Sequence, residues 1–439
     1  MCRQIIFFFF VFLCLSPLES SGQNRETKKM IIVSYHSFTP LLSSFIEFKN
    51  KDNIDCFTIS IDSGSTFQHI KQKIDSVYSF FSADFLLLVG DHQHIPSYRV
   101  DEGLSDIHYT FADKNTDTPR MAVGRFSVEN EQDLHTIIER NIHRKPSSFH
   151  VAGIASQEIS ELTLKYDYQQ IRTMGNAFVE KGFSILSELF DGSQGGGDKD
   201  NNPTYKDIIA TLNSGTTWVN YAGYGSYDGW NTGSFESTHL DSLNPNIELP
   251  IIVSASCLNG HFADRSCFAE KWIRHTKNGK PVGAIAVFMP SSFADWDATL
   301  SAMITIGNNI PNIDGNCRLG DLYLIGYNHI IHEMQRKKDA YCLILFGDPS
   351  MWIYAKESNF PVEEKEINHS LFAFPNPALS SLALLREGNL FIYTMEGKLV
   401  KNQYVSPMQK INLTDISSGM YVLILYRDNR KFIQKLIIK

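Results

Sequence analysis

Cysteine is scarce in this chain: seven among 439 residues, with no CxxC pair. Cys2 and Cys14 fall in an apolar leader, so the remainder keeps Cys56, Cys257, Cys267, Cys317 and Cys342. An odd, scattered set is no disulfide framework and has no zinc-ligand spacing. Positive charge is also short, 40 Lys and Arg against 48 Asp and Glu, without a concentrated basic block. That balance argues against nucleic acid as the partner. The glycine-rich stretch "DGSQGGGDKDNNPT" from Asp191 to Thr204 lacks the strand–GxGxxG–helix register and any phosphate-loop lysine. It reads as a surface loop, and neither a nucleotide nor another cofactor is expected. Beyond the leader no run is long and apolar enough to cross a bilayer.

The leader itself is informative. "MCRQIIFFFFVFLCLSPLESSGQN" has one basic residue, Arg3, then apolar residues from Ile5 to Leu15, then a polar stretch with small residues. That is the build of a secretory signal peptide, assigned to residues 1–22, and the run is too short to span a membrane. A membrane anchor and lipid attachment at Cys14 are the competing readings, the second set against Leu13, where a small residue is expected. A free thiol in an exported protein needs a reason. Burial is the ordinary one, so catalysis requires more than the thiol.

After the leader, short apolar runs such as "KKMIIVSY", "IDCFTISI", "FLLLVGD", "TTWVNYAGYG", "LPIIVSASCLNG" and "PVGAIAVFM" alternate with helical stretches such as "NEQDLHTIIERNIHR", "DYQQIRTMGNAFVEKGF" and "SCFAEKWIRHTKNG". Continuous apolar strands are buried on both faces, and strand–helix alternation means a mostly parallel α/β sheet flanked by helices. Ligands in such folds sit at the carboxyl ends of the strands, where both "YAGYGSYDGWNTG" and "SASCLNGH" fall. Thr204 and Gly215 mark the start and end of a further helix. Residues 29–145 and 146–356 are read as two α/β subdomains and 357–371 as a charged linker. Residues 372–439, rich in short β runs and turns, are read as a small all-β sandwich.

"FLLLVGDHQHIP", "VGRFSVENEQDL", "WVNYAGYGS", "SASCLNG", "SCFAEKWIR", "GKPVGAIAVF" and "FGDPSMWI" stand in the order and spacing of the gingipain family of cysteine peptidases. The chain resembles that family from Met30 to about Lys356. The resemblance implies a caspase-like fold of two α/β subdomains. It places the nucleophile on Cys257, the carboxylate that orients the base on Glu158, and the pocket carboxylate of arginine-specific members on Asp167. The oxyanion donors would be Gly225 and the Cys257 N–H. Structural calcium is implied as well, with the loops near Asp91 and Asp348 as candidates and no calcium-loop motif to assign ligands. The tail, with "FPNP", "IYTMEGKLV", "SSGMYVLIL" and "KFIQKLIIK", is similar to the C-terminal sorting domain of the type nine secretion system. That implies secretion machinery as a partner and exposure on the outer-membrane surface of a Gram-negative bacterium, with exchange for a lipopolysaccharide anchor. An independent ligand-binding β-domain is the other reading of the tail.

The family's histidine position falls on Tyr224, flanked by matching Gly223, Gly225 and Ser226. A neighbouring imidazole turns a thiol into thiolate and later protonates the leaving amine. A phenol, with an ordinary pKa near 10, does neither well at neutral pH. Losing one member of such a unit costs on the order of 10⁴ to 10⁶ in turnover. Tyr224 is expected within reach of Cys257 with its phenol toward Glu158. His261, four residues after Cys257, is the alternative base, set against a plain loop histidine, and His239 is expected to be structural. The family's long inhibitory propeptide and Ig-like module have no counterpart between these segments. Three readings follow: a degenerate peptidase that binds peptides or a protein partner, an active Arg- or Lys-directed endopeptidase using His261, and a sortase-like transpeptidase.

Overall fold

The computed structural model describes residues 27–113, 115–144, 149–245, 248–312, 316–354, 373–384, 387–394, 398–427 and 430–439. The expected signal peptide and linker lie outside the described residues. The chain divides into two compact units, Met1–Ala355 and Lys356–Lys439.

The first unit is built on ten strands: β1 Lys28–Tyr35, β2 Ile54–Ile61, β3 Phe85–Val89, β4 Ala122–Phe126, β5 His150–Ala155, β6 Ser184–Phe190, β7 Trp218–Ala222, β8 Ile251–Ala255, β9 Ala286–Pro290 and β10 Leu343–Phe346. They form one sheet in the order β2-β1-β3-β4-β10-β9-β8-β7-β5-β6. The β9–β10 pairing is antiparallel and the other pairings are parallel. The two strand groups read from the sequence therefore meet at β10, which touches β4 through Phe346 and Arg125.

Alternate residues of the same strand enter different cores. Ile31, Val33, Leu86 and Leu88 join one apolar cluster, while Met30, Ile32, Phe85 and Leu87 join the other. The first cluster is covered by helices α2 Phe67–Phe81, α4 Asp167–Glu180, α7 Trp296–Asn308 and α8 Leu319–His329. The second is covered by α1 Ser43–Lys51, α3 Glu131–His143, α5 Tyr205–Asn213 and α6 Phe268–Arg274. Burial on both faces explains the unbroken apolar runs. Thr204 caps α5, its hydroxyl and N–H both donating to Asp207 at 2.7 and 2.8 Å.

Of the five cysteines beyond the leader, Cys267 and Cys342 are buried and Cys56 and Cys317 half-buried; desolvation raises all four thiols, pushing Cys56 and Cys317 up to about 12. The fifth, Cys257, stands beyond the end of β8.

The second unit is antiparallel. Strands β11 Ala373–Phe374, β12 Ser381–Leu384 and β15 Lys410–Asn412 form one sheet. Strands β13 Gly388–Thr394, β14 Leu399–Val405, β16 Gly419–Arg427 and β17 Arg430–Ile438 form another, in the order β14-β13-β16-β17. Leu382, Leu390, Ile392, Leu423 and Leu436 belong to its separate core.

A charged pair is sealed inside the first unit. Arg125 on β4 donates to both carboxylate oxygens of Asp106 at 2.7 Å and to the carbonyls of Gly90 and Ile95. Removing one partner leaves an uncompensated buried charge. Asp106→Ala is expected to lower the unfolding free energy by about 3–5 kcal/mol in urea titrations.

Candidate active site

The site is assembled by register. On the central strands Ala155 of β5 pairs with Ala222 of β7, and Ala222 with Ala255 of β8. Tyr224 and Cys257 are each two residues past those partners and Glu158 is three past Ala155, so neighbouring strands deliver all three to one edge. The strand order puts Tyr224 in the middle, between the cysteine strand and the carboxylate strand.

Beneath the turn lies a buried polar network. Trp230 Nε1 donates to Ser254 Oγ and Asn259 Oδ1, both at 3.0 Å. Ser256 bonds Asn259, whose amide donates to the carbonyls of Ser226 and Gly229 at 2.6 and 3.1 Å. A Cβ at Gly225 would stand 2.7 Å from Ser256 Oγ and 3.0 Å from Asn259 Nδ2, so only glycine lets the two turns approach. The Cys257 N–H has no acceptor among the described residues, which leaves it available to a ligand oxygen.

The Cys257 thiol is half-buried and has one hydrogen-bond partner among the described residues, the Ala294 carbonyl at 3.9 Å. Tyr224 is 51% exposed, and its ring leans on that of Trp296 with centroids 5.2 Å apart. Its hydroxyl bonds neither Cys257 nor Glu158 among the described residues; its carbonyl accepts from Tyr221 Oη at 2.5 Å. The ring packs against the indole in a tilted arrangement, with an interplanar angle of 58°. Glu158 is exposed.

His261 is buried, with Nδ1 2.7 Å from the Ser291 carbonyl and its ring edge-on to Tyr227 at 5.4 Å. It makes no hydrogen bond to Cys257 among the described residues. His239 Nδ1 accepts from the Glu236 N–H at 3.0 Å and its ring stacks on Tyr205 at 3.9 Å, a structural arrangement.

Asp167, the first residue of α4, is fully buried. Ser156 Oγ donates to one oxygen at 2.6 Å and Trp296 Nε1 to the other at 2.9 Å. Burial pushes its carboxyl up to about 6 against those donors, and the negative charges of Glu158 and Asp297 push the same way. Sequence reasoning missed Trp296, Ser156 and Asp297. The "SSFADWD" stretch follows β9, and its place in a further strand-end loop was the available signal.

The calcium candidates have internal partners. Asp91 accepts from the N–H groups of Gln93 and His94, each at 3.0 Å, and faces His94 Nδ1 at 2.7 Å. Asp348 pairs with buried Lys49 on one oxygen and accepts from Ser350 on the other. Among the described residues no cluster of three or more His, Cys, Asp or Glu is placed to hold a cation.

The raised carboxyl carries a linkage consequence. Asp167 holds its proton in the folded chain up to about 6 but only to about 3.9 when unfolded. Its contribution is thus fully present below the unfolded value and lost as pH rises through about 6, a change of about 2–3 kcal/mol. Asp167→Asn is expected to remove that part of the fall in stability between acid and neutral pH, seen by comparing denaturant titrations of the two proteins.

Residues 23–354 match the model of peptidase family C25, and residues 373–439 match the secretion system C-terminal sorting domain. Gingipain R2 and gingipain R1 of Porphyromonas gingivalis are each 27% identical over 359 residues, covering 75% of this chain. The chain spans only 46% and 34% of the length of those relatives. The crystal structure of the Arg-specific cysteine proteinase gingipain R has a TM-score of 0.68 at 22% identity, covering 95% of this chain and 99% of that one. A complex of the pro- and mature domains of a Porphyromonas gingivalis gingipain has a TM-score of 0.67 at 23% identity, covering 94% of this chain and 100% of that one. By its sequence from residue 23 to 354, with a fold to match, this chain belongs to peptidase family C25.

Proposed function

We propose that this protein is an exported family member that binds peptide or protein segments in the crevice at Cys257 and does not hydrolyse them. One observation carries the reading: the strand end beside the cysteine strand holds Tyr224 packed at a tilt against Trp296, and no imidazole bonds the thiol among the described residues. Without a base the thiol is a poor nucleophile and the leaving amine has no proton donor. His261 supplies neither while its Nδ1 is held at the Ser291 carbonyl and its ring against Tyr227. A transpeptidase would need the same activated thiol.

The remaining parts support ligand capture. The free Cys257 N–H offers a donor to a peptide carbonyl, and Glu158 is exposed at the same sheet edge, beyond the Tyr224 strand. The sorting domain at residues 373–439 supports export, and with it display on the outer-membrane surface and exchange for a lipopolysaccharide anchor.

The wild-type protein should cleave no member of a mixed peptide library, and iodoacetamide should alkylate Cys257 no faster than it alkylates free cysteine. Tyr224→His should yield measurable cleavage, held down by about 10² if the side chains stand an ångström out of line. Wild-type proteolysis abolished by both Cys257→Ala and His261→Ala would instead make His261 the base.

Removing residues 372–439 should trap the protein in the periplasm. Labelling of intact cells with an impermeant reagent checks this; undiminished labelling of the truncated form would refute the export role of the tail.

A further inference from the structure

Among the described residues of the first unit, ten large apolar side chains are exposed. Six of them, Ile159, Leu162, Leu164, Tyr166, Tyr224 and Phe293, stand on three loops, those following β5, β7 and β9. Single exposed apolar residues need no explanation, but their concentration at one place marks an interaction site.

The three loops are tied into one rim. Ser160 Oγ and the Leu162 N–H both donate to Asp297, at the start of α7. Next to it, Trp296 bonds Asp167 and carries the Tyr224 ring, and the Ala294 carbonyl receives the Cys257 thiol. Leu164 is the most prominent member, 76% exposed with its backbone at φ 54°. That left-handed conformation costs a leucine about 1–2 kcal/mol. It is held by bonds from Leu164 N to Ser160 O and from Ser160 N to Lys165 O, both 2.9 Å. The turn's own hydrogen bonds thus offset the backbone strain and hold an apolar side chain out toward solvent.

Charge narrows the occupant. Glu158 and Glu161 are exposed on the same loop, with Lys165 as its one cation, so an acidic partner or an anionic lipid surface is repelled. Asp167 offers little to a basic side chain, since both oxygens already have internal donors and reaching it means displacing the indole.

We infer that this rim is the docking surface for an extended peptide segment bearing two or more large apolar side chains and no net negative charge. Trp296 closes the position where a basic side chain would otherwise meet Asp167. The inference rests on the peptide-binding reading and names the class of ligand for it.

The test is fluorescence anisotropy on the full chain with labelled glycine–serine peptides. One carries spaced Phe and Leu with lysine ends, one the same apolar residues with aspartate ends, and one arginines in place of Phe and Leu. The first should bind, and the other two should bind at least about tenfold more weakly. Leu164→Asp and Phe293→Asp should each weaken the first peptide by about tenfold or more, with unchanged melting. Phe80→Ser, on α2 and outside the rim, should leave binding as it is.

Equal binding of the arginine peptide, or rim variants that bind like wild type, would overturn the apolar specificity while leaving peptide capture standing. Binding to anionic vesicles, or self-association abolished by Leu164→Asp, would overturn it in favour of a membrane or a second copy. No binding of any of the three would sink the peptide-binding reading itself.

Discussion

The register of three parallel strands governs the candidate site. Ala155, Ala222 and Ala255 pair across β5, β7 and β8, and the residues just beyond them inherit that alignment. Because side chains alternate faces, a slip of one residue would drive the apolar set of any strand into the wrong core. Two separate cores on the two faces make the cost of such a slip large in both directions. The strands are closed to chemistry along their length, so polar function gathers at their carboxyl ends. There the Ser254, Ser256, Asn259 and Trp230 network bonds the two turns together.

A second constraint works sideways. Burying a carboxylate is costly unless donors meet it, and Asp167 has two, Ser156 and Trp296. The indole that meets it also supports the Tyr224 ring, while the adjoining Asp297 anchors the loop from Ser160 to Leu162. Satisfying one buried acid therefore arranges the surface around the thiol. Where a hydrolase needs an imidazole bonded to its cysteine, Tyr224 here lies against Trp296 beside an exposed apolar rim, and the proposed peptide-binding role rests on that arrangement.

The tail is physically independent in one respect: its core is its own. Antiparallel strands of short length close over residues such as Leu390, Ile392, Leu423 and Leu436, and no member of that cluster comes from the first unit. Its match to a secretion sorting domain accords with a module that serves export whatever the other unit binds.

Much of this was legible in the residues. Unbroken apolar runs alternating with amphipathic helices specify a doubly covered parallel sheet, because only strands buried on both faces tolerate such runs. Glycines and polar residues at the ends of "WVNYAGYGS" and "SASCLNG" marked the sheet edge that carries Tyr224 and Cys257, and the family resemblance is what implied that Tyr224 stands at a histidine's position. Other features depended on contacts between segments far apart in the chain. The bond from Trp296 to Asp167 joins residues 129 positions apart, and the Tyr224 ring lies against that same indole. Likewise, that β10 joins two groups of strands, and that His261 turns to the Ser291 carbonyl, follow from packing that no local pattern encodes. Local sequence determines which faces must be buried and which groups must find partners; only the closed tertiary structure decides which partner is near enough to satisfy them.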